Sequence, residues 1–212
     1  MEVNKKELKE QEVRTLFITP ALNQKGWAVG VNMREEYYFT DGRVLVIGNQ
    51  HSVAEGKKAD YLLYHKGKPI AVVEAKDNKH AVGGGIQQAM SYAEILDLKF
   101  AYSSNGDAFL EHDFITGKET EIKLEDFPTK EELYSRYLAS KNYTSEELNI
   151  IETPFYYDAH SHEPRYYQRI AVDRTVEAIA RGQQRVLVVM ATGTGKTFTA
   201  FQIIHRLHKS GG

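Results

Sequence analysis

Cysteine is absent from the sequence. That excludes disulfides and thiolate metal sites and fits a reducing compartment, with the cytoplasm as the simple expectation. No apolar run approaches the roughly 20 residues that a membrane-crossing helix needs, so no membrane partner is expected. The first residues, Met-Glu-Val-Asn-Lys-Lys-Glu, are charged and lack the apolar segment of a secretory signal. A charge imbalance is missing too. Lys and Arg number 27 against 29 Asp and Glu, a formal net charge of −2, so the overall charge gives no argument for a nucleic-acid partner. What is present, 42% hydrophobic and 11% aromatic residues in a chain of 212, can form one large domain or one domain and part of a second.

The most informative run is Met190-Ala-Thr-Gly-Thr-Gly-Lys-Thr197. It follows the apolar stretch Val186–Val189, which predicts a strand. It precedes Phe198–His205, whose apolar residues recur at helical spacing. Strand, glycine loop and helix form the context of a phosphate-binding loop. Gly193 and Gly195 lack Cβ atoms, so backbone N–H groups from Thr192 to Thr197 can converge on phosphate oxygens. The positive end of the following helix adds attraction. Lys196 would reach the terminal phosphates and Thr197 would hold Mg²⁺. Met190 departs from the strict pattern, where a glycine is expected.

Upstream, residues 4 to about 23 predict an amphipathic helix carrying Leu8, Val13, Leu16, Phe17 and Leu22, which Pro20 should end or kink. Extended segments over residues 27–40 are expected to break near Arg34-Glu35-Glu36. Asp41-Gly42 marks a turn before Val44–Ile47. Asp60–Tyr64 and Pro69–Glu74 predict strands joined by a turn at His65-Lys-Gly67-Lys. Gly83–Gly85 opens a helix to about Leu98. Phe100–Ser103 and Phe109–Asp113 are further strands, and Pro128–Leu138, Ser145–Ile151 and Arg165–Arg181 are helical. The expected organisation is a first domain at 1–151, a polar linker at 152–164, and the start of a second domain at 165–212.

The first domain carries a second candidate site. If the hairpin centres on Gly67, residues whose numbers sum to 134 face one another, and Asp60 and Glu74 do. Their Cβ atoms would lie about 4.5–5.5 Å apart. Lys76 points to the same face, and the Ala75 carbonyl lies beside them in the sheet plane. Opposed carboxylates repel unless a cation bridges them, and hard oxygen ligands suit Mg²⁺. A nearby ammonium can position or deprotonate a water, so the set suits phosphodiester hydrolysis. Acids at strand ends are also common as plain surface residues, and the pattern alone leaves both readings open. Gln88 and Tyr92, four residues apart, share a helix face from which an amide and a phenol could meet a phosphate backbone.

Asp60, Glu74-Ala75-Lys76, Gln88 and Tyr92 resemble the PD-(D/E)xK nuclease superfamily, in the E-x-K variant and RecB-like branch. The resemblance implies an acidic residue near the metal on the first helix, either Glu10 or Glu12, with the choice open. It also leaves His80 as a candidate phosphate contact or a plain loop histidine. Arg165-Tyr-Tyr-Gln168 resembles the adenine-reading glutamine motif of superfamily-2 helicases, in which Gln168 would favour ATP. Nuclease and motor in tandem, with Gly26-Trp27, resemble the R subunit of type I restriction enzymes. That resemblance implies an α/β fold with a mixed, helix-flanked, restriction-endonuclease-like sheet, followed by the first strand, loop and helix of a RecA-like motor. It implies Mg²⁺ and ATP as cofactors, double-stranded DNA as substrate, and methyltransferase (M) and specificity (S) subunits as partners. Hydrolysis of ATP would need motifs beyond residue 212, so no ATPase activity is expected of these residues alone. They are also expected to pack 165–212 against the first domain or a neighbouring chain. Competing expectations are another motor–nuclease helicase, and a non-catalytic DNA-binding or assembly module.

Overall fold

The computed structural model describes residues 4–40, 44–47, 50–53, 56–158 and 163–211. The Asp41-Gly42 turn lies outside them. The chain divides into two compact units, Met1–Ser140 and Lys141–Gly212.

The first unit is built on a six-stranded mixed sheet. Its strands are β1 (Met33–Thr40), β4 (Gly56–His65), β5 (Lys68–Ala75), β6 (Phe100–Ser104), β7 (Ala108–Asp113) and β8 (Lys118–Lys123), in the order β1-β4-β5-β6-β7-β8. Only β5 and β6 run parallel, joined through helix α3 (Ile86–Leu96). β2 (Val44–Ile47) and β3 (Gln50–Val53) pair separately as a ribbon. Alternation along the strands sorts residues to two faces. Tyr61, Leu63, Ala71, Val73, Phe100, Tyr102 and Phe109 join one core with Val13, Ile18 and Leu22 of the first helical segment, and with Trp27, Phe127 and Leu133. Leu133 lies on α4 (Lys130–Lys141). Trp27 is fully buried and donates its indole N–H to the Pro128 carbonyl at 2.9 Å. The opposite parity, with Leu62, Val72, Glu74 and Ser103, lies on the face that α3 covers.

The hairpin β4–β5 fixes the register on which the acidic pair depends. Lys66 and Gly67 both have positive φ, 49° and 73°, as a tight two-residue turn between twisted strands demands. Such a turn pairs His65 with Lys68 and would leave Tyr61 one residue out of step with Val73. A register shift at Leu63/Tyr64 restores the step, giving Leu63↔Ala71, Leu62↔Val72 and Tyr61↔Val73. One further step brings Asp60 opposite Glu74.

The first helical segment differs from expectation. It comprises α1 (Glu10–Val13), a wide π turn at Arg14–Ile18, and α2 (Thr19–Gln24). Pro20 neither ends it nor breaks it. In the π turn Thr19 N–H reaches back to Arg14 O, so the register has already loosened where Pro20 lacks a donor. The extra residue rotates the helix face, and Leu16, expected inside, is half exposed. The expected break in β1 is located at Glu36, which has φ 51°.

The second unit contains α5 (Ser145–Glu152), α6 (Tyr166–Ala180) and α7 (Lys196–Lys209). The expected domain boundary at residue 151 leaves α5 with the first domain. Here Ile150, Ile203 and Leu207 pack on the small core of Phe155, Val172 and Val176. Arg206, fully buried, donates to Asp173 at 2.6 Å and to the Ile151 carbonyl at 2.6 Å, tying α7 to both other helices. Gln202 clasps both backbone groups of Tyr156, at 2.9 and 3.1 Å. The strand expected at Val186–Val189 does not form. Among the described residues the segment joins no ladder, and Leu187 is 88% and Val189 85% exposed. A strand exists through its neighbour's hydrogen bonds, and the described residues of this unit offer it none.

Candidate active site

The acidic pair sits on the neighbouring strands β4 and β5, on the sheet face beside α3. Asp60 is 6% exposed and Glu74 1%. The pair is braced by the opposing backbone. Ala75 N–H donates to Asp60 Oδ2 at 2.8 Å, and Asp60 N–H donates to Glu74 Oε1 at 3.3 Å. Burial, with the Asp60 charge next in weight, pushes the Glu74 carboxyl up to about 8. Glu10 adds to that rise, whereas Glu12 turns its carboxylate back to cap Lys9 N–H at 2.8 Å.

Lys76 lies on the same face as Glu74. A Cβ at Gly85 would come within 3.2 Å of Glu74 Cβ, 3.4 Å of Lys76 Cε and 3.0 Å of Ser103 Oγ. The chain entering α3 thus presses on both residues at a point that only a glycine fits without displacement. Ser103 fixes that approach by accepting from Gly85 N–H at 2.9 Å and donating to the Val82 carbonyl at 2.8 Å. Lys76 Nζ donates to Gln88 Oε1 at 3.2 Å, and Gln88 Nε2 donates to Tyr92 Oη at 3.0 Å. Lysine, amide and phenol form one chain along α3. Burial, then the charges of Glu74 and Asp60, raise the Tyr92 phenol above its ordinary value, which keeps it a neutral donor. His80 is exposed and paired with Asp77 at 2.8 Å.

Among the described residues, no group of three or more His, Cys, Asp or Glu gathers as a ready-made metal cluster. The Asp60 and Glu74 carboxylates offer hard oxygen donors of the kind that fits a water-retaining cation such as Mg²⁺. Two buried acids, one driven toward its protonated form, are the electrostatic deficit that such an ion would relieve.

Arg14 was missed in the sequence reading. Its guanidinium is 4% exposed and donates to Asp60 Oδ1 at 3.3 Å and to the Asp60 carbonyl at 3.4 Å. A signal existed, because Arg14 lies four residues before Ile18 and next to Val13, on the apolar side of its helix.

In the second unit, Gly193 and Gly195 adopt φ 79° and 86°, and α7 begins directly after them. Thr192, Gly193, Lys196 and Thr197 are exposed. Gln168 is buried, and its amide is engaged at both ends. Nε2 donates to the Thr194 carbonyl at 2.8 Å and Oε1 accepts from Arg165 N–H at 2.9 Å. The glutamine therefore touches the glycine loop itself, a contact that no local sequence pattern signals.

Comparison with known proteins agrees with both halves. A family profile described as "Type I restriction enzyme EcoKI endonuclease subunit second domain" matches residues 32–105, and one described as "Type III restriction enzyme, res subunit" matches 161–212. The type I restriction enzyme EcoAI endonuclease subunit of Escherichia coli is 44% identical over 214 residues, covering 99% of this chain and 26% of its own. The EcoKI endonuclease subunit of Escherichia coli (strain K12) is 27% identical, with 96% and 22% covered. A solved fragment described as an HsdR subunit of a type I restriction enzyme from Vibrio vulnificus YJ016 superposes with a TM-score of 0.80 at 44% identity. The match covers 96% of this chain and 38% of that one. The chain thus spans about a quarter of the length of the curated relatives it matches. On this similarity along nearly all of its residues, and on the sheet it shares with the solved fragment, the chain belongs to the family of type I restriction enzyme endonuclease (R) subunits.

Proposed function

We propose that the first unit is a Mg²⁺-dependent DNA endonuclease centre and that residues 165–212 contribute the nucleotide-binding start of an ATP-driven DNA translocase. In this reading double-stranded DNA is the substrate, and the M and S subunits are the partners that read the target. The observation that carries the reading is the buried Asp60–Glu74 pair with the Lys76 ammonium on the same sheet face. Asp60, Glu74 and the Ala75 carbonyl would hold Mg²⁺, with Glu10 adding negative charge nearby. The ion, when bound, supplies positive charge at the scissile phosphate and a more acidic water. Lys76 orients or activates that water, and Gln88 holds the lysine in place through its Oε1. Tyr92 and the amide of Gln88 present donors to the phosphate backbone. Thr192 to Thr197 would cradle the nucleotide phosphates, with Arg165 and Gln168 at the base.

Nicking of supercoiled plasmid by the purified chain tests the nuclease reading. It should require Mg²⁺ and fall by about 100-fold or more in Lys76→Ala, with an unchanged circular dichroism spectrum. Equal nicking by wild type and variant would reduce the pair to a structural feature of a DNA-binding module.

A further inference from the structure

Arg14 enters the acidic cluster through a gap in the β-ladder. On either side of Glu36 the β1–β4 register is regular, with Glu35 facing Tyr61 and Tyr37 facing Ala59. Glu36 itself has φ 51°, a left-handed backbone that an L-residue other than Asn or Asp seldom adopts without a reason. The gap opens beside Asp60. The Arg14 guanidinium fills it, donating to the Asp60 carboxylate and carbonyl at 3.3 and 3.4 Å and to Glu36 Oε1 at 3.3 Å. Its third side is held by Tyr61, with Nε 3.3 Å from the hydroxyl and the cation 4.9 Å from the ring centroid. A planar fork suits this three-sided grip, and a lysine could not reproduce it. The arginine leaves the helix at the π turn, a local widening that recurs at functional sites. Asp60 thus has a donor on each oxygen, Arg14 on Oδ1 and Ala75 N–H on Oδ2. Its carboxylate is fixed in rotation before any ion arrives.

We infer that Arg14 is a positioning residue of the nuclease centre, clamping Asp60 and serving as its counter-ion while no divalent cation is bound. The inference rests on the nuclease reading and deepens it. It also gives the buried acidic cluster a counter-charge that does not depend on metal. A buried carboxylate stripped of its partner is strongly destabilising, and here the partner is covalently built in.

Thermal denaturation of the 212-residue chain tests this with wild type, Arg14→Gln, Asp60→Asn and the double variant, each with and without Mg²⁺. Without metal, Arg14→Gln should lower Tm by about 5–10 °C, and most of that loss should vanish when Asp60 is already Asn. Mg²⁺ should raise the Tm of Arg14→Gln more than that of wild type, because the ion takes over the counter-ion role. Additive losses in the double variant, or a loss that Mg²⁺ leaves untouched, would overturn the inference. Should Arg14→Gln fail to fold, Arg14→Lys keeps the charge without the fork. It should retain the wild-type Mg²⁺ shift yet nick plasmid about tenfold more slowly, and undiminished nicking would refute the positioning role. If wild type shows no Mg²⁺ shift at all, the nuclease reading fails, while the metal-free double-variant cycle still decides the Arg14–Asp60 pairing.

Discussion

A carboxyl buried against another carboxyl holds its proton, and at Glu74 this has a measurable consequence. Its folded value of about 8 stands above the ordinary 4.5, so the folded chain takes up a proton across that window. The sign follows. The contribution to stability is fully present below pH 4.5 and is lost as pH rises through about 8. Metal-free chain should therefore melt lower at about pH 8 than at about pH 5, by roughly 5 °C. Glu74→Gln should flatten that part of the profile, and a profile unchanged by the substitution would contradict the assignment. Most of this site was legible in sequence, because Asp60, Glu74 and Lys76 depend only on strand parity and one turn. The legibility was partly fortunate. A turn centred on Gly67 gives the right pairing only because the shift at Leu63/Tyr64 compensates for the two-residue loop. Arg14 was hidden for a different reason. Its partners Glu36 and Asp60 lie 22 and 46 residues away, and no local pattern announces a contact made through a gap in a neighbouring ladder.

At the scale of elements, the sequence was least informative where an element depends on company it does not carry. Val186–Val189 has the composition of a buried strand, yet composition supplies no hydrogen-bonding neighbour, and the segment stays unpaired. Pro20 errs in the opposite direction, since helix-breaking chemistry was absorbed by a π turn one step earlier. A linker read from the polar stretch 152–164 leaves α5 with the first domain, whereas its partners are α6 and α7. Arg206 shows how firmly those helices are joined. With its guanidinium wholly buried between Asp173 and the Ile151 carbonyl, Arg206→Ala would strand both acceptors. The expected cost is about 3 kcal/mol, read as a lower urea midpoint with an unchanged m-value. A loss below about 0.5 kcal/mol would show that the pair does little for the second unit.

At the scale of the whole molecule, the chain holds two compact units, each with its own core. Net charge near zero gives no argument for a nucleic-acid partner, and the proposed DNA contact is correspondingly local, built from Lys76, Gln88 and Tyr92 around two acids. The central claim is that those acids are a cation site. Soaking crystals of the chain in Mn²⁺ and collecting at the manganese edge tests it most directly. The account predicts an anomalous peak bonded to both Asp60 and Glu74, which disappears in Glu74→Gln. Density confined to other surface carboxylates, with Asp60 and Glu74 still bonded only to protein, would contradict it.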